Sequence, residues 1–182
     1  MHHRLMVPLL FAPLLFACGV GGSTAPVARQ GLLADTISGY CESRYQFIPI
    51  DFTLPPPLSH LAAHARTPGR GVCWITRLGR MTIDADGVTD FTGDPFTFTG
   101  FVLFTAADGA QLWATDSGTI PAPGAAAAFT SSGTTTFTGG TGRFEHASGT
   151  VTFAGGGVHS DRTTFRSFQG MISYGVPDAT TR

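Results

Sequence analysis

The stretch that most constrains this chain is residues 134–157, which read as two strands joined by a glycine-rich corner. Threonine alternates with Phe137 on the first strand and with Val151 and Phe153 on the second, the period of two that gives a strand one polar and one apolar face. The glycines between these runs permit positive φ and close backbone approach, which a bulky residue could not supply. We therefore predict a structural corner built on Gly139, Gly140, Gly142 and Gly149.

The sequence after residue 71 consists almost entirely of strand-like runs and turns. Apolar runs of strand length, among them 72–78, 96–105 and 163–174, start at intervals of about 10 to 15 residues and show no helical periodicity. This spacing predicts an all-β domain, either an antiparallel barrel or a sandwich.

Local signals refine this prediction. Asp108-Gly109 is the strongest hairpin signal and Asp86-Gly87 a second turn signal. Gly100 interrupts an alternating run, as a bulge or corner glycine would. Pro49 indicates an edge strand or a bend, because proline cannot donate to a sheet. The segment from Ser59 to Arg66, bounded by prolines, is the one predicted helix, and we expect it to be a surface insert.

The N-terminal residues 1–17 have the basic start and short apolar run of a signal peptide, too short to span a bilayer. The run ends in Leu-Phe-Ala-Cys, which resembles the bacterial lipobox, so Cys18 is the predicted lipidation site. The alternative is ordinary secretion with later cleavage. We expect a flexible tether over 18–34, a β-barrel domain over 35–176 and a polar tail over 177–182. The predicted location is extracytoplasmic: the bacterial cell envelope, as an outer-membrane lipoprotein, or secreted.

Lipidation of Cys18 would leave two cysteines, Cys41 and Cys73. In an oxidising compartment such a pair is expected to form a disulfide. The alternatives are two buried free thiols or half of a metal site.

Charge and motif chemistry exclude several classes of function. A formal net charge of −1 gives no basis for nucleic-acid binding or for a polybasic membrane patch. His60 and His64 have the i, i+4 spacing of paired zinc ligands, but no third ligand accompanies them. Arg143, Glu145 and His146 could form an acid–base group at a barrel rim, although solvated loop charges are the expected interpretation. We therefore predict no catalytic residue, no metal and no cofactor.

Four segments in order resemble bacterial exported proteins of the allene oxide cyclase-like barrel superfamily, which includes the plant dirigent proteins. They are Leu78-Gly79-Arg80-Met81-Thr82, Phe104 to Gly109, Gly139 to Gly149 with its GGTG-x-F-x-x-A-x-G pattern, and Gly170 to Tyr174. The resemblance implies an eight-stranded antiparallel barrel with a central cavity. The alternative is an unrelated β-sandwich.

The family fold suggests which side chains would line the cavity, if they do not simply pack the core: Trp74, Phe98, Trp113, Phe137 and Phe153. Three functions follow. The first and favoured one is non-catalytic binding of a small apolar ligand or a cell-surface partner. The second is a cyclase or isomerase that acts on a small apolar intermediate, which requires ionisable residues facing the cavity. The third is a structural envelope lipoprotein with a filled barrel.

Overall fold

A computed structural model describes residues 32–51, 62–122 and 128–175. Cys18, the signal peptide, His60 and the polar tail lie outside these residues. The strands are β1 (Leu32–Tyr45), β2 (Ile48–Asp51), β3 (His64–Arg66), β4 (Gly69–Ile75), β5 (Gly79–Asp90), β6 (Phe96–Ala106), β7 (Gln111–Ile120), β8 (Ala128–Gly140), β9 (Ser148–Val158) and β10 (Thr163–Gly175). Within the described ranges, no helix is long and apolar enough to cross a membrane.

Eight of these strands close into an antiparallel barrel. Their order is β5-β4-β1-β10-β9-β8-β7-β6, and β6 pairs again with β5 to complete the circle. The first and last strands are neighbours, with Leu32 opposite Gly175 and Arg44 opposite Thr163. The predicted barrel is confirmed, and the sandwich alternative is wrong.

The short strands β2 and β3 form an extension beside the barrel. Strand β3 pairs with the last residues of β5, and β2 lies at the outer edge of the sheet. The backbone N–H of Gln46 donates to the Pro68 carbonyl at 2.8 Å, where β1 bends into β2 and β3 into β4. The edge position predicted from Pro49 is confirmed, because Pro49 lies in β2.

The helix predicted over Ser59 to Arg66 is wrong in its described part. His64–Arg66 is a strand, and Ala62, Ala63 and Ala65 are buried. The N–H of Ala63 donates to the Asp51 carbonyl at 3.0 Å, while its own carbonyl accepts from Phe91 at 2.8 Å. Pairing with two neighbouring segments therefore outweighs the helix propensity of the alanines.

The turn predicted at Asp86-Gly87 is also wrong, since both residues lie inside β5. Gly87 faces Gly100 of β6 in an unshifted register, so Gly100 is not a bulge. A Cβ at Gly87 would lie 2.7 Å from the Thr99 carbonyl oxygen. The two glycines thus serve close approach of adjacent strands rather than a turn.

The hairpin predicted at Asp108-Gly109 is confirmed between β6 and β7. Gly109 has a φ of 84°, and its N–H donates to the Ala106 carbonyl at 3.0 Å. The Asp108 carboxylate accepts from the N–H of Ala110 at 3.0 Å. Positive φ at the glycine explains why this Asp-Gly pair turns the chain and the Asp86-Gly87 pair does not.

The glycine-rich corner joins β8 to β9 through a single 3-10 turn, Gly142–Phe144. Phe144 is fully buried and packs against Tyr174, with ring centroids 5.8 Å apart. The Tyr174 hydroxyl donates to Asp35 at 3.1 Å, and burial, followed by this bond, raises the pKa of Tyr174. Phe144 and Tyr174 mark what we term the closed end of the barrel.

Cys41 and Cys73 form a disulfide across β1 and β4. The two residues are directly opposite in the strand register, and their Cα atoms are 4.0 Å apart. The predicted pairing is confirmed. Disulfides are typical of proteins that fold in an oxidising compartment.

Candidate functional site

The barrel encloses a cavity of about 180 Å³. Side chains on each strand alternate between the interior and the outer surface, so every second residue faces the barrel interior, and part of these line the cavity. Nine phenylalanines are among the lining residues, and the wall is therefore mainly aromatic. A cavity of about 150 Å³ with apolar walls is large enough to bind benzene.

Three of the residues predicted for the cavity, Phe98, Phe137 and Phe153, line it. The prediction is wrong for the two tryptophans. Trp74 is 48 % exposed and Trp113 is 45 % exposed, both on the outer surface. Their neighbours along the strand occupy the inward positions, so the tryptophans must point outward.

A polar cluster of Asp116, Thr135 and Arg166 interrupts the aromatic lining. Asp116 is buried, with only 7 % of its side chain exposed. One of its carboxylate oxygens accepts from the Thr135 hydroxyl at 2.6 Å, and the other accepts from Nη1 of Arg166 at 2.5 Å. Each oxygen of the carboxylate therefore accepts one hydrogen bond from a side chain of the barrel.

Arg166 reaches across the interior to make this contact. It starts from β10 and meets Asp116 on β7, with β9 and β8 between them. Its guanidinium carbon lies 4.5 Å from the ring centroid of Phe153 and 5.4 Å from that of Phe98. The opposing residue on β9 is Gly155, which has no side chain to obstruct the path. The two rings and the carboxylate thus hold the guanidinium in one orientation.

The interior beside this ion pair remains open. Gly87 and Gly100 face inward from β5 and β6. A smaller recess of about 50 Å³ lies beside these two glycines and is also lined by Asp116 and Arg166. Arg166 lines both this recess and the main cavity, and about 32 % of its side chain is accessible. The polar cluster is consequently within reach of a molecule in the cavity.

Tyr45, Phe129 and His159 surround what we term the mouth, at the end opposite Phe144. The Tyr45 hydroxyl lies 3.2 Å from Nδ1 of His159, and the His159 ring stacks on Phe129 at 4.8 Å. Partial burial raises the pKa of Tyr45. His159 is exposed, so this end of the cavity borders the surface.

The glycine-rich corner and its charged residues lie away from the cavity. Gly139, Gly140, Gly142 and Gly149 surround the closed end, as do Arg143 and the exposed side chains of Glu145 and His146. The acid–base group considered for these last three residues therefore lies far from the mouth.

His64 lies in the β2–β3 extension rather than on a helix. Its Nδ1 is 2.9 Å from Asp51, and its Nε2 is 3.7 Å from Asp90. A hydrogen bond from the Thr92 hydroxyl holds the pKa of Asp90 below its usual value. Among the described residues, no group of three His, Cys, Asp or Glu side chains is placed to hold a metal ion.

Sequence reasoning missed Asp116 and Arg166, although a signal for both was present. Leu112, Ala114 and Asp116 share one face of β7, and Arg166 shares a face of β10 with Phe168 and other buried residues. An ionisable residue on the apolar face of a strand is an exception to the alternating pattern. Such exceptions mark groups that need a buried partner.

The arrangement combines an aromatic cavity, one fixed guanidinium and an exposed mouth. It can enclose a small apolar molecule and offer it a hydrogen-bond donor. No protein-family model matches the chain, and no curated protein matches it.

Proposed function

We propose that this protein is an exported barrel that binds a small, mainly apolar ligand in its central cavity. The observation that carries the proposal is the cavity of about 180 Å³ with its phenylalanine lining. Pockets for small molecules are typically concave and mostly apolar, with a few fixed polar groups. The Asp116–Arg166 pair supplies such groups here.

The energetics of the cavity favour binding over a purely structural barrel. Unfilled space in an apolar core costs about 24 cal/mol per Å³, so filling this cavity with side chains would stabilise the barrel. Eight-stranded barrels can be filled by their own side chains. A barrel that serves only as a structural element would gain stability by filling the space, whereas a binding protein needs it.

Toluene is a suitable probe, because it is apolar and matches the cavity in size. We expect saturable binding by calorimetry and a rise in Tm, since a ligand that binds only the folded state stabilises it. Ala85→Phe places a ring in the cavity from an inward position of β5 and should abolish binding.

Thr82→Phe is the matched control, because it adds the same ring at an exposed position of the same strand. It should bind toluene as the unmodified protein does. Absence of saturable binding of toluene and of benzaldehyde, a ring of similar size with an acceptor oxygen, would refute the proposed function.

The second candidate, a cyclase or isomerase, is supported by the ionisable groups that face the cavity, Asp116 and Arg166. A catalytic acid or base must reach the substrate proton. Asp116 is held in place by Thr135 and Arg166, and its charge serves the ion pair with Arg166. Non-catalytic binding is therefore the better-supported function.

Export and anchoring complete the proposal. We infer that residues 1–17 direct export, that Cys18 carries the lipid, and that the lipid is the protein's only attachment to the membrane. The Cys41–Cys73 disulfide supports an oxidising, extracytoplasmic location. The closed eight-stranded barrel also agrees with the proposed relationship to the allene oxide cyclase-like superfamily. The net charge of −1 offers nothing to attract nucleic acid.

A further inference from the structure

We propose that the ligand is uncharged and carries an oxygen that accepts a hydrogen bond from Arg166. This inference rests on the proposed ligand-binding function and specifies the chemical class of the ligand. The class is a molecule with a single ring, or a body of similar size, that carries a carbonyl or ether oxygen. The inference depends on the unused donors of Arg166, the charge of Asp116 and the dimensions of the cavity.

The first step concerns the hydrogen-bond donors of Arg166. A guanidinium has five N–H donors. Within the described part of the chain, its one side-chain partner is Asp116, through Nη1. The accessible part of the side chain faces the cavity, so further donors are presented to whatever occupies it. A purely hydrocarbon ligand would displace water from these donors without replacing its hydrogen bonds, and a ligand with an acceptor would restore them.

The second step concerns charge. Asp116 neutralises Arg166 through their direct contact. A ligand carboxylate at Arg166 would lie close to the Asp116 carboxylate in a mainly apolar cavity, where repulsion between like charges is weakly screened. A cationic ligand would be repelled by Arg166 and would also lose its hydration, and Asp116 already has Arg166 as its counter-ion. The pair therefore disfavours both anionic and cationic ligands and favours a neutral one.

The third step concerns size and shape. Phe98 and Phe153 flank the guanidinium, so an oxygen that reaches Arg166 places the body of its ligand among aromatic rings. An apolar cavity of about 150 Å³ is large enough to bind benzene. The cavity of about 180 Å³ in this barrel therefore suits a single ring with a small substituent. Benzaldehyde has these properties, whereas toluene lacks the acceptor and benzoate adds a charge.

The first experiment compares these three probes on the unmodified protein by calorimetry at pH 7. We expect benzaldehyde to bind at least about tenfold more tightly than toluene. The hydrogen bond from the charged Arg166 to the aldehyde oxygen contributes more binding free energy than the contact of a toluene methyl group at the same place. Benzoate should bind more weakly than benzaldehyde by about tenfold or more. Equal affinities for benzaldehyde and toluene would overturn the inference.

The second experiment removes the neutralising charge. Asp116→Asn preserves an acceptor for the Thr135 hydroxyl and leaves Arg166 without its counter-ion. We expect the ratio of the benzoate affinity to the benzaldehyde affinity to rise by about tenfold or more. An unchanged ratio in a folded Asp116→Asn protein would contradict the role assigned to Asp116.

Asp84→Asn is the matched control, because Asp84 is paired with an arginine, Arg70, on the outer surface. It should leave all three affinities unchanged. If Asp116→Asn does not fold, the comparison of probes on the unmodified protein still decides the inference. Failure of both toluene and benzaldehyde to bind refutes the proposed function itself, whereas binding of both with equal affinity refutes this inference alone.

Discussion

Gly140 and Gly142 are both required in the corner, but for different physical reasons. Gly142 has a φ of 57°, and a Cβ there would have space, with its nearest neighbour at 3.5 Å. Gly140 is not among the residues with positive φ, yet a Cβ on it would lie 2.0 Å from the Gln111 carbonyl oxygen. Conformation thus decides at Gly142, whereas close approach between β7 and β8 decides at Gly140.

Gly142→Ala isolates the conformational effect, because the added methyl group meets no severe contact. We expect the free energy of unfolding to fall by about 1 to 2 kcal/mol, the cost of a left-handed conformation for an L-residue. Chemical denaturation with a fitted midpoint and slope measures this change.

Glu145→Ala provides the control, since Glu145 is an exposed residue of the same corner. Its effect should stay within about 0.5 kcal/mol. If Gly142→Ala is as stable as the unmodified protein but no longer binds toluene, the corner is part of the binding site rather than a folding device.

The lining of the cavity was only partly predictable from the sequence, as a comparison of individual residues shows. Phe137 and Phe153 follow the simple alternation, so their inward direction could be expected from the sequence. The aromatic character of Trp74 and Trp113 suggested the interior, but strand alternation places them outside. Arg166 and Asp116 meet across two intervening strands, a contact that depends on barrel closure and that no local pattern contains.

Among the elements, β1 and β4 have two kinds of link. They pair from Gly39–Ile75 to Tyr45–Gly69, and the Cys41–Cys73 disulfide adds a covalent link. We expect reduction to lower the free energy of unfolding by about 3.7 kcal/mol, because the bond closes a loop of 32 residues in the unfolded chain. Denaturation curves with and without reductant test this prediction.

The double variant Cys41→Ala/Cys73→Ala is the control, and its stability should not respond to reductant. Thiol labelling gives an independent result. Neither Cys41 nor Cys73 should react in denatured, unreduced protein, and labelling of both would show that the native protein holds free thiols.

Elements were predictable where local chemistry and tertiary structure agree. The corner at 139–149 and the Asp108-Gly109 hairpin have glycines with positive φ, which short sequence motifs indicate directly. The segment His64–Arg66 and the Asp86-Gly87 pair failed for the opposite reason. Their conformation is set by neighbouring strands that lie elsewhere in the sequence, and local propensity gives little information about such pairing.

At the scale of the whole molecule, lipid attachment at Cys18 is the remaining prediction. Cys18→Ser should move the protein from the membrane fraction to the soluble exported fraction of its host, because no acyl chain can then be attached. Fractionation with immunodetection measures the shift. Detection by intact mass of a mature protein that begins after Cys18 would contradict lipidation.

The barrel seam between β1 and β10 has a consequence for biogenesis. Leu32 meets Gly175, so the earliest strand finds one of its neighbours only when the latest strand has emerged. Until then β1 and β9 each have an unpaired edge, the kind of surface on which chains aggregate. Long-range pairing of this kind also slows folding. The edges of β1 and β9 are therefore open to premature association until β10 pairs with both, and a truncation before Thr163 would leave both edges permanently exposed.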